Sequence, residues 1–256
     1  MTFIIKNLIF VAITPFNTKV TMSRCEQCII REFSSLKALT RDELALISDT
    51  KNAFTVDKGQ VLFHEGENLN GVFCIKEGIC KLSKLSSGGK DSILKLAGKG
   101  ELLGQRSMIN DESSNLTAIA LEDMLVCFIP KKEVMQHFSD NNQFSLLVTK
   151  DICNHLKDAD MVIANHTHRT VKERLALLLL NLYELGGKNL ETDALNIVLS
   201  REDMANMLGT ATESCIRLLS ELKKEDIIFV SGRKIILKDL NGLRNIAEHS
   251  SHSNLK

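Results

Sequence analysis

Hydrophobic and polar positions follow two rhythms along this chain. Between Phe54 and Phe128, short apolar runs are separated by glycines at 59, 66, 71, 78, 88, 89, 98, 100 and 104. The runs are Val61-Leu62-Phe63, Gly71 to Ile75, Ile79 to Leu82, Ser92 to Leu96, Leu116 to Ala120 and Met124 to Ile129. Short β-rich segments closed by glycine turns predict an antiparallel β-roll or jelly roll, which either encloses a small ligand or is filled by side chains. From Ser139 the rhythm lengthens. Val148, Ile152, Leu156, Ala159 and Ile163 recur at steps of four and three, the spacing of a coiled-coil seam on one long helix. A helix buried against its own domain gives the same pattern. The next apolar helix, Val171 to Leu185, has a broader face, and Thr167 to Thr170 is the natural hinge between the two.

The stretch LSREDMANMLGTATESCIRLLSEL, Leu199 to Leu222, reads as two short helices joined at Gly209. Met204, Ala205 and Leu208 form the apolar face of the first, and Cys215, Leu218, Leu219 and Leu222 that of the second. Gly209 suits a left-handed helix exit, Ala205 allows close crossing, and Thr210 or Thr212 is expected to cap the second helix. Glu213 and Arg217 share one face near the start of that helix. A guanidinium matches the O6 and N7 acceptors of guanine, and a carboxylate accepts from the cytosine amine or braces the arginine. Thr212 adds a hydroxyl and a methyl. An ordinary surface ion pair is the plain alternative for Glu213 and Arg217, but the Ser200-Arg201 and Ala205-to-Gly209 framework around them favours a helix-turn-helix. Ile227 to Val230, then Ser231 to Lys234, then Ile235 to Leu237 read as strand, turn and strand, a wing with Arg233 and Lys234 at its tip.

Composition restrains this picture. Lys and Arg number 32 and Asp and Glu 32, so the net charge is zero. No broad basic field exists for nucleic acid, and binding would rest on local placement of Arg201, Arg217, Arg233 and Lys234 in two copies. Seven cysteines without a pairing pattern point to a reducing cytoplasm, and no membrane association is expected. The apolar run Ile4 to Ile13 is too short to span a bilayer as a helix; residues 1–21 read as an over-extended start, with a weak signal or anchor as the alternative. No Ser-His-Asp order, phosphate-cradling loop or HExxH spacing suggests an enzyme.

The order of elements resembles the Crp/Fnr family of bacterial transcription regulators from Cys25 to Leu240. Its strongest motifs here are LSREDMANMLGTATESCIRLLSELKKEDII and AGKGELLGQ, Ala97 to Gln105. The resemblance implies an α+β fold, with an antiparallel roll sensor at 22–138, a dimerisation helix at 139–168, a winged helix-turn-helix at 169–240 and a C-terminal tail at 241–256. It implies a cytoplasmic homodimer and transcription activator that binds a palindromic operator on double-stranded DNA and contacts RNA polymerase. DNA-binding residues would be Ser200, Arg201, Thr210, Thr212, Glu213, Arg217, Arg233 and Lys234.

The resemblance also bears on the signal. Cyclic-nucleotide members of the family hold their ligand with a Glu after the roll glycine and an Arg-Ser pair ten residues later. Here Gln105 follows Gly104, and Asn115 and Leu116 stand at the later positions, so cyclic AMP is disfavoured. Gly104, Gln105, Arg106 and Asn115 are the effector-pocket candidates, although strand alternation would turn Arg106 away. The redox branch of the family implies an iron–sulfur cluster. Cys25, Cys28 and Cys127 match three of its ligands, while Ser34 stands at the fourth. A cluster would then need Ser34, Cys74, Cys80 or a non-protein ligand. Zinc or a Cys25–Cys28 disulfide would use the same residues, and Cys74, Cys80, Cys153 and Cys215 otherwise read as core. The alternative to a regulator is a small-molecule-binding module with a vestigial DNA-binding domain.

Overall fold

The computed structural model describes residues 23–85 and 91–248, so the expectations for residues 1–21 and 249–256 lie outside it. Three 3-10 turns, Cys25–Gln27, Ile29–Phe33 and Ser35–Ala38, lead into α1 (Arg41–Thr50). Thr40 and Glu43 start α1 with a reciprocal capping box, each side chain accepting from the other's backbone N–H.

Eight strands follow: β1 (Asn52–Val56), β2 (Val61–Phe63), β3 (Gly71–Glu77), β4 (Cys80–Leu85), β5 (Asp91–Ala97), β6 (Leu102–Leu103), then after the short helix α2 (Gln105–Ile109) β7 (Thr117–Ala120) and β8 (Met124–Pro130). They make two four-stranded antiparallel sheets, ordered β1-β8-β3-β6 and β2-β7-β4-β5. Phe54, Phe63, Phe73, Ile75 and Val126 fill the space between the sheets, with Phe73 stacked on Phe63 at 5.6 Å. The opposite face of the first sheet is covered as well. Val72, Cys74, Cys127 and Ile129 pack there against Ile30, Leu36, Leu44, Ile47 and Phe144 of the helical layer. Burial on both faces explains why β3 runs apolar instead of alternating with polar residues. Gly71 is needed in this sheet, because a Cβ there would lie 2.2 Å from the Ile129 carbonyl.

The chain leaves the roll through α3 (Lys131–Asp140) and α4 (Asn142–His168). Asn141 caps α4 by accepting from the N–H groups of Gln143 and Phe144. The seam expected on α4 divides in two. Phe144 and Val148 are buried in the roll's helical layer, whereas Leu156, Met161 and Ile163 are more than half exposed. The buried-helix reading of the apolar spacing therefore holds for the first half of α4, and the second half leaves its apolar side chains exposed.

The C-terminal region contains α5 (Val171–Gly186), α6 (Arg201–Leu208), α7 (Thr212–Lys224), the hairpin β9 (Ile228–Ser231) and β10 (Lys234–Leu237), and α8 (Leu240–Glu248). A second capping box, Thr170 with Glu173, starts α5. The tail expected from residue 241 is corrected by α8, whose Leu243 and Ala247 are buried in the core that α5, α6 and α7 share. Its polar residues hid four apolar ones, Leu240, Leu243, Ile246 and Ala247, at helical spacing. That core also takes in Ile79 of the roll, and Lys81 of β4 meets Asp203 of α6 at 2.7 Å with both side chains mostly buried. Among the described residues no helix is long and apolar enough to cross a membrane.

Leu243→Ala is expected to destabilise the chain by about 2–5 kcal/mol, since it opens a cavity under a fully buried side chain. Urea unfolding of the variant checks this; a loss below about 0.5 kcal/mol, the scale of surface substitutions, would mean that α8 is an appendage.

Candidate DNA-binding surface and sensor site

The turn between α6 and α7 is built as the sequence suggests, with one difference. Gly209 is left-handed at φ 61° and ψ 41°, and its N–H bonds back to α6. A Cβ on it would come within 2.9 Å of the His166 ring, so the end of α4 lies directly against this turn. The cap of α7 is Ala211, which supplies no side-chain bond, so neither Thr210 nor Thr212 caps the helix. Thr212 is instead its first residue, and the Thr210 N–H bonds to the Ala205 carbonyl.

Glu213 and Arg217 stand on the solvent face of α7, opposite the buried Cys215, Leu218, Leu219 and Leu222. The carboxylate that braces Arg217 is Glu221, at 2.9 Å, rather than the expected Glu213. Both choices satisfy helical spacing, and the sequence alone does not separate them. Glu213 thus keeps its oxygens for another partner, and its position in the first turn is where the helix dipole favours negative charge.

The remaining cations have distinct places. Arg201 is half-buried and donates from Nη2 to the Gly232 carbonyl at 2.9 Å, which ties the start of α6 to the wing tip. Arg233 and Lys234 are exposed on that tip. The Ser200 hydroxyl is occupied as the cap of α6, accepting from the Asp203 N–H at 2.9 Å and meeting the Asp203 carboxylate at 2.6 Å. Sequence reasoning did not single out Arg174. Its guanidinium donates to the Leu208 carbonyl from two nitrogens, at 3.1 and 2.9 Å, and to the Arg169 carbonyl at 2.7 Å. One side chain thereby joins the hinge after α4 to the end of α6.

The effector candidates are brought together in a cavity of about 380 Å³ between the roll and α4. Gln105, Arg106, Ser107, Ser114 and Asn115 form its polar side; Leu82, Leu102, Leu103, Ile152 and Leu156 are among its apolar residues. Residues 105 and 106 belong to α2, not to a strand, because left-handed Gly104 turns the chain there. Alternation therefore does not apply, and Arg106 lines the cavity with its guanidinium donating to the Asn115 amide oxygen. Gln105 is 5% exposed, and its side-chain carbonyl has no donor.

A second, small cavity is lined by Cys25, Cys28 and Cys127 together with Cys74. The sequence leaves Cys74 either as a further donor beside Ser34 and Cys80 or as core. The signal for it was alternation: it shares a strand face with Val72, and it is the cross-strand partner of Cys127. Burial raises the Cys74 and Cys127 thiols, and Lys51 offsets part of this. Ser34 does not line the cavity. It is buried with its hydroxyl donating to the Arg31 carbonyl and accepting from the Leu36 N–H. Cys80 lies in the roll interior, where burial pushes its thiol up to about 12. Cys153 was expected in a core but is exposed, and Cys215 is buried in α7.

Two family models match the chain, a cyclic nucleotide-binding domain over residues 53–141 and a Crp-like helix-turn-helix domain over residues 173–246. The Anaerobic regulatory protein of Haemophilus influenzae is 26% identical over 221 residues, 86% of each chain. The Fumarate and nitrate reduction regulatory protein of Vibrio cholerae is 26% identical over 234 residues, 90% of this chain and 92% of that one. FixK2 from Bradyrhizobium japonicum shares the fold, with a TM-score of 0.69 and 24% identity over 77% of this chain and 97% of that one. The chain belongs to the Crp/Fnr family of transcription regulators. It joins a cyclic-nucleotide-binding-like sensing domain to a helix-turn-helix DNA-binding domain, and it is a regulator rather than an enzyme.

The Lys81–Asp203 pair between these domains has a pH signature. Burial alone would raise the Asp203 carboxyl, but hydrogen bonds from Lys81 and Ser200 outweigh it and hold the group below the usual carboxylate range. A depressed pKa means that the pair's stabilisation is present above the unfolded value of about 3.9 and is lost as pH falls through the folded value. Asp203→Asn is expected to cost about 1–2 kcal/mol at neutral pH and to approach the wild type once the pH falls through the folded value and the carboxylate is protonated, read by urea unfolding at neutral and acid pH. An equal cost at both would show that the carboxylate charge contributes nothing.

Proposed function

We propose that this protein is a cytoplasmic homodimer that binds a twofold-symmetric operator through α7 and acts on transcription together with RNA polymerase. Thr212, Glu213 and Arg217 read bases, while Arg201, Arg233 and Lys234 meet phosphate along the wing. Ser200 and Thr210 support the turn instead of touching DNA. The observation that carries this reading is the exposed face of α7, where Glu213 and Arg217 project side by side beyond a fully packed helix-turn-helix core. Dimerisation uses the bare half of α4, since Leu156 and Ile163, seven residues apart, lie exposed on one face next to the hinge.

The signal is redox or oxygen. Relatives named for anaerobic regulation support this, as do the cysteines gathered on the roll. A second reading, an organic effector, is favoured by the 380 Å³ cavity and the donor-less carbonyl of Gln105 inside it. Gln105, Asn115 and Leu116 offer a phosphodiester no charge, which disfavours cyclic AMP at those positions, but the Arg106 guanidinium lines the same cavity and offers an anionic effector one cation.

Glu213→Ala and Arg217→Ala are each expected to weaken binding to the cognate operator by about 1–3 kcal/mol, about 5- to 150-fold in Kd, and to relax specificity at one base pair. The operator is first selected from random duplexes, and gel shift at fixed salt then measures both variants. Unchanged affinity in both would remove α7 from base reading; failure to enrich any palindrome would point to a vestigial DNA-binding domain. For α4, Leu156→Asp combined with Ile163→Asp should give a folded monomer in sedimentation, and a persistent dimer would place the interface elsewhere.

A further inference from the structure

A charged side chain of the sensor domain reaches the start of α6. Lys81 of β4 and Asp203, in the first turn of α6, are 122 positions apart in the chain, and Nζ of one meets Oδ1 of the other at 2.7 Å. Only 15% of the lysine side chain and 17% of the aspartate side chain reach solvent, so removing either partner leaves the other charge largely buried and unpaired. We infer that Lys81 is a positioning residue for DNA reading: its bond to Asp203 holds α6, and with it α7, in the orientation that binds the operator. The inference rests on the reading of α7 as the base-reading helix and adds a residue of the sensor domain to it.

Two attachments give a helix a direction, where one would leave it free to swing. At its far end α6 is held beside the hinge: Arg174 donates to the Leu208 and Arg169 carbonyls, and the His166 ring lies against Gly209. Lys81 supplies the second attachment, at the near end. Asp203 passes the hold on to the backbone, because its carboxylate also accepts from the Ser200 hydroxyl, whose oxygen caps the helix. Met204, Ala205 and Leu208 share one core with Cys215, Leu218, Leu219 and Leu222, so α6 and α7 turn as one body. This arrangement suits binding. With the pair closed, Glu213 and Arg217 are still exposed.

The strands that carry Lys81 also wall the cavity beside α4. Lys81 pairs in register with Leu96, and the next pair along is Leu82 with Lys95. Neighbouring residues of a strand point to opposite faces. Lys81 and Leu96 accordingly meet the DNA-binding domain, whereas Leu82 and Lys95 line the cavity of about 380 Å³. The register slips just beyond, where Leu94 stands unpaired as a bulge and also lines the cavity. A molecule that shifts this bulge would shift Lys81 on the reverse side of the same two strands. That route to α6 passes through neither α4 nor the hinge.

The test uses the full-length chain and the operator selected with the wild type, in gel shifts at several salt concentrations. Lys81→Met, which keeps the apolar stem, should raise the operator Kd at least about fivefold, since apparent affinity falls with the fraction of chains that hold the competent orientation. Lys81→Arg should stay within about twofold of the wild type, because a guanidinium can bond the same carboxylate. Asp203→Asn should match Lys81→Met, and the double variant should lose no more than either single one, as for two residues that act through one bond. Base preference and salt slope should not change, whereas loss of a lysine that touches phosphate would lower the slope by about one. Circular dichroism and urea unfolding verify that each variant is folded under assay conditions, where a merely structural contribution leaves Kd untouched. Lys81→Gln replaces Lys81→Met should the latter not fold. With a wild type that binds, a Kd for Lys81→Met less than about fivefold above the wild type overturns the inference. So do losses that add in the double variant, a Lys81→Arg chain as weak as Lys81→Met, or a salt slope lowered by about one. A wild type that enriches no operator overturns the reading of α7 itself, and the role of Lys81 with it.

Discussion

Burial of both faces of the β1-β8-β3-β6 sheet is the constraint on which the other features depend. One face closes the roll with Phe54, Phe73 and Ile75, and the other carries Val72, Cys74, Cys127 and Ile129 beneath a helical lid. The lid includes the first turns of α4 through Phe144 and Val148, so the longest helix of the molecule starts locked to the sheet. Its distal half can then project beyond the roll without losing its direction. Gly71 marks how tightly the sheet closes, since no larger residue fits against the Ile129 carbonyl.

A second set of contacts links this rigid body to the DNA-binding domain. Arg174 holds carbonyls on both sides of the hinge, His166 rests against Gly209, and Lys81 reaches Asp203 at the start of α6. Ile79 of the roll enters the core of the C-terminal domain. The orientation of α7 is thus fixed by a few polar bonds and a small apolar contact in which Leu96 and Leu121 of the roll join Ile79, not by a large shared core. Such an interface can take up two discrete arrangements at modest energetic cost, which a sensor-to-reader connection needs.

Much of this was legible in the sequence. Six strands of the roll, the long helix, the helix-turn-helix and the wing all follow from periodicity and from glycine placement, because each buries one clear face. What escaped has a physical cause in each case. β6 has two residues, too few to show any period, and α2 begins only because Gly104 turns left-handed. α8 was hidden by its polar composition, although Leu243 and Ala247 were correctly spaced for a core. At the candidate site, exposure of Glu213 and Arg217 matched expectation, but the choice of Glu221 as brace depends on rotamers that no spacing rule fixes. Spacing left Cys74 level with Ser34 and Cys80, because what brings it to the cysteine cavity is strand register with Cys127, more than fifty positions away.

The two sides of α4 are not independent surfaces. Leu156 lines the cavity beside the roll and is also exposed on the face it shares with Ile163. If α4 pairs through that face as proposed, linkage would apply in both directions: a molecule seated in the cavity would change how strongly the face associates, and association would change how strongly that molecule is held. A cell holding more copies of the chain would therefore answer to a fainter stimulus wherever the two events favour each other, so abundance becomes a dial for sensitivity.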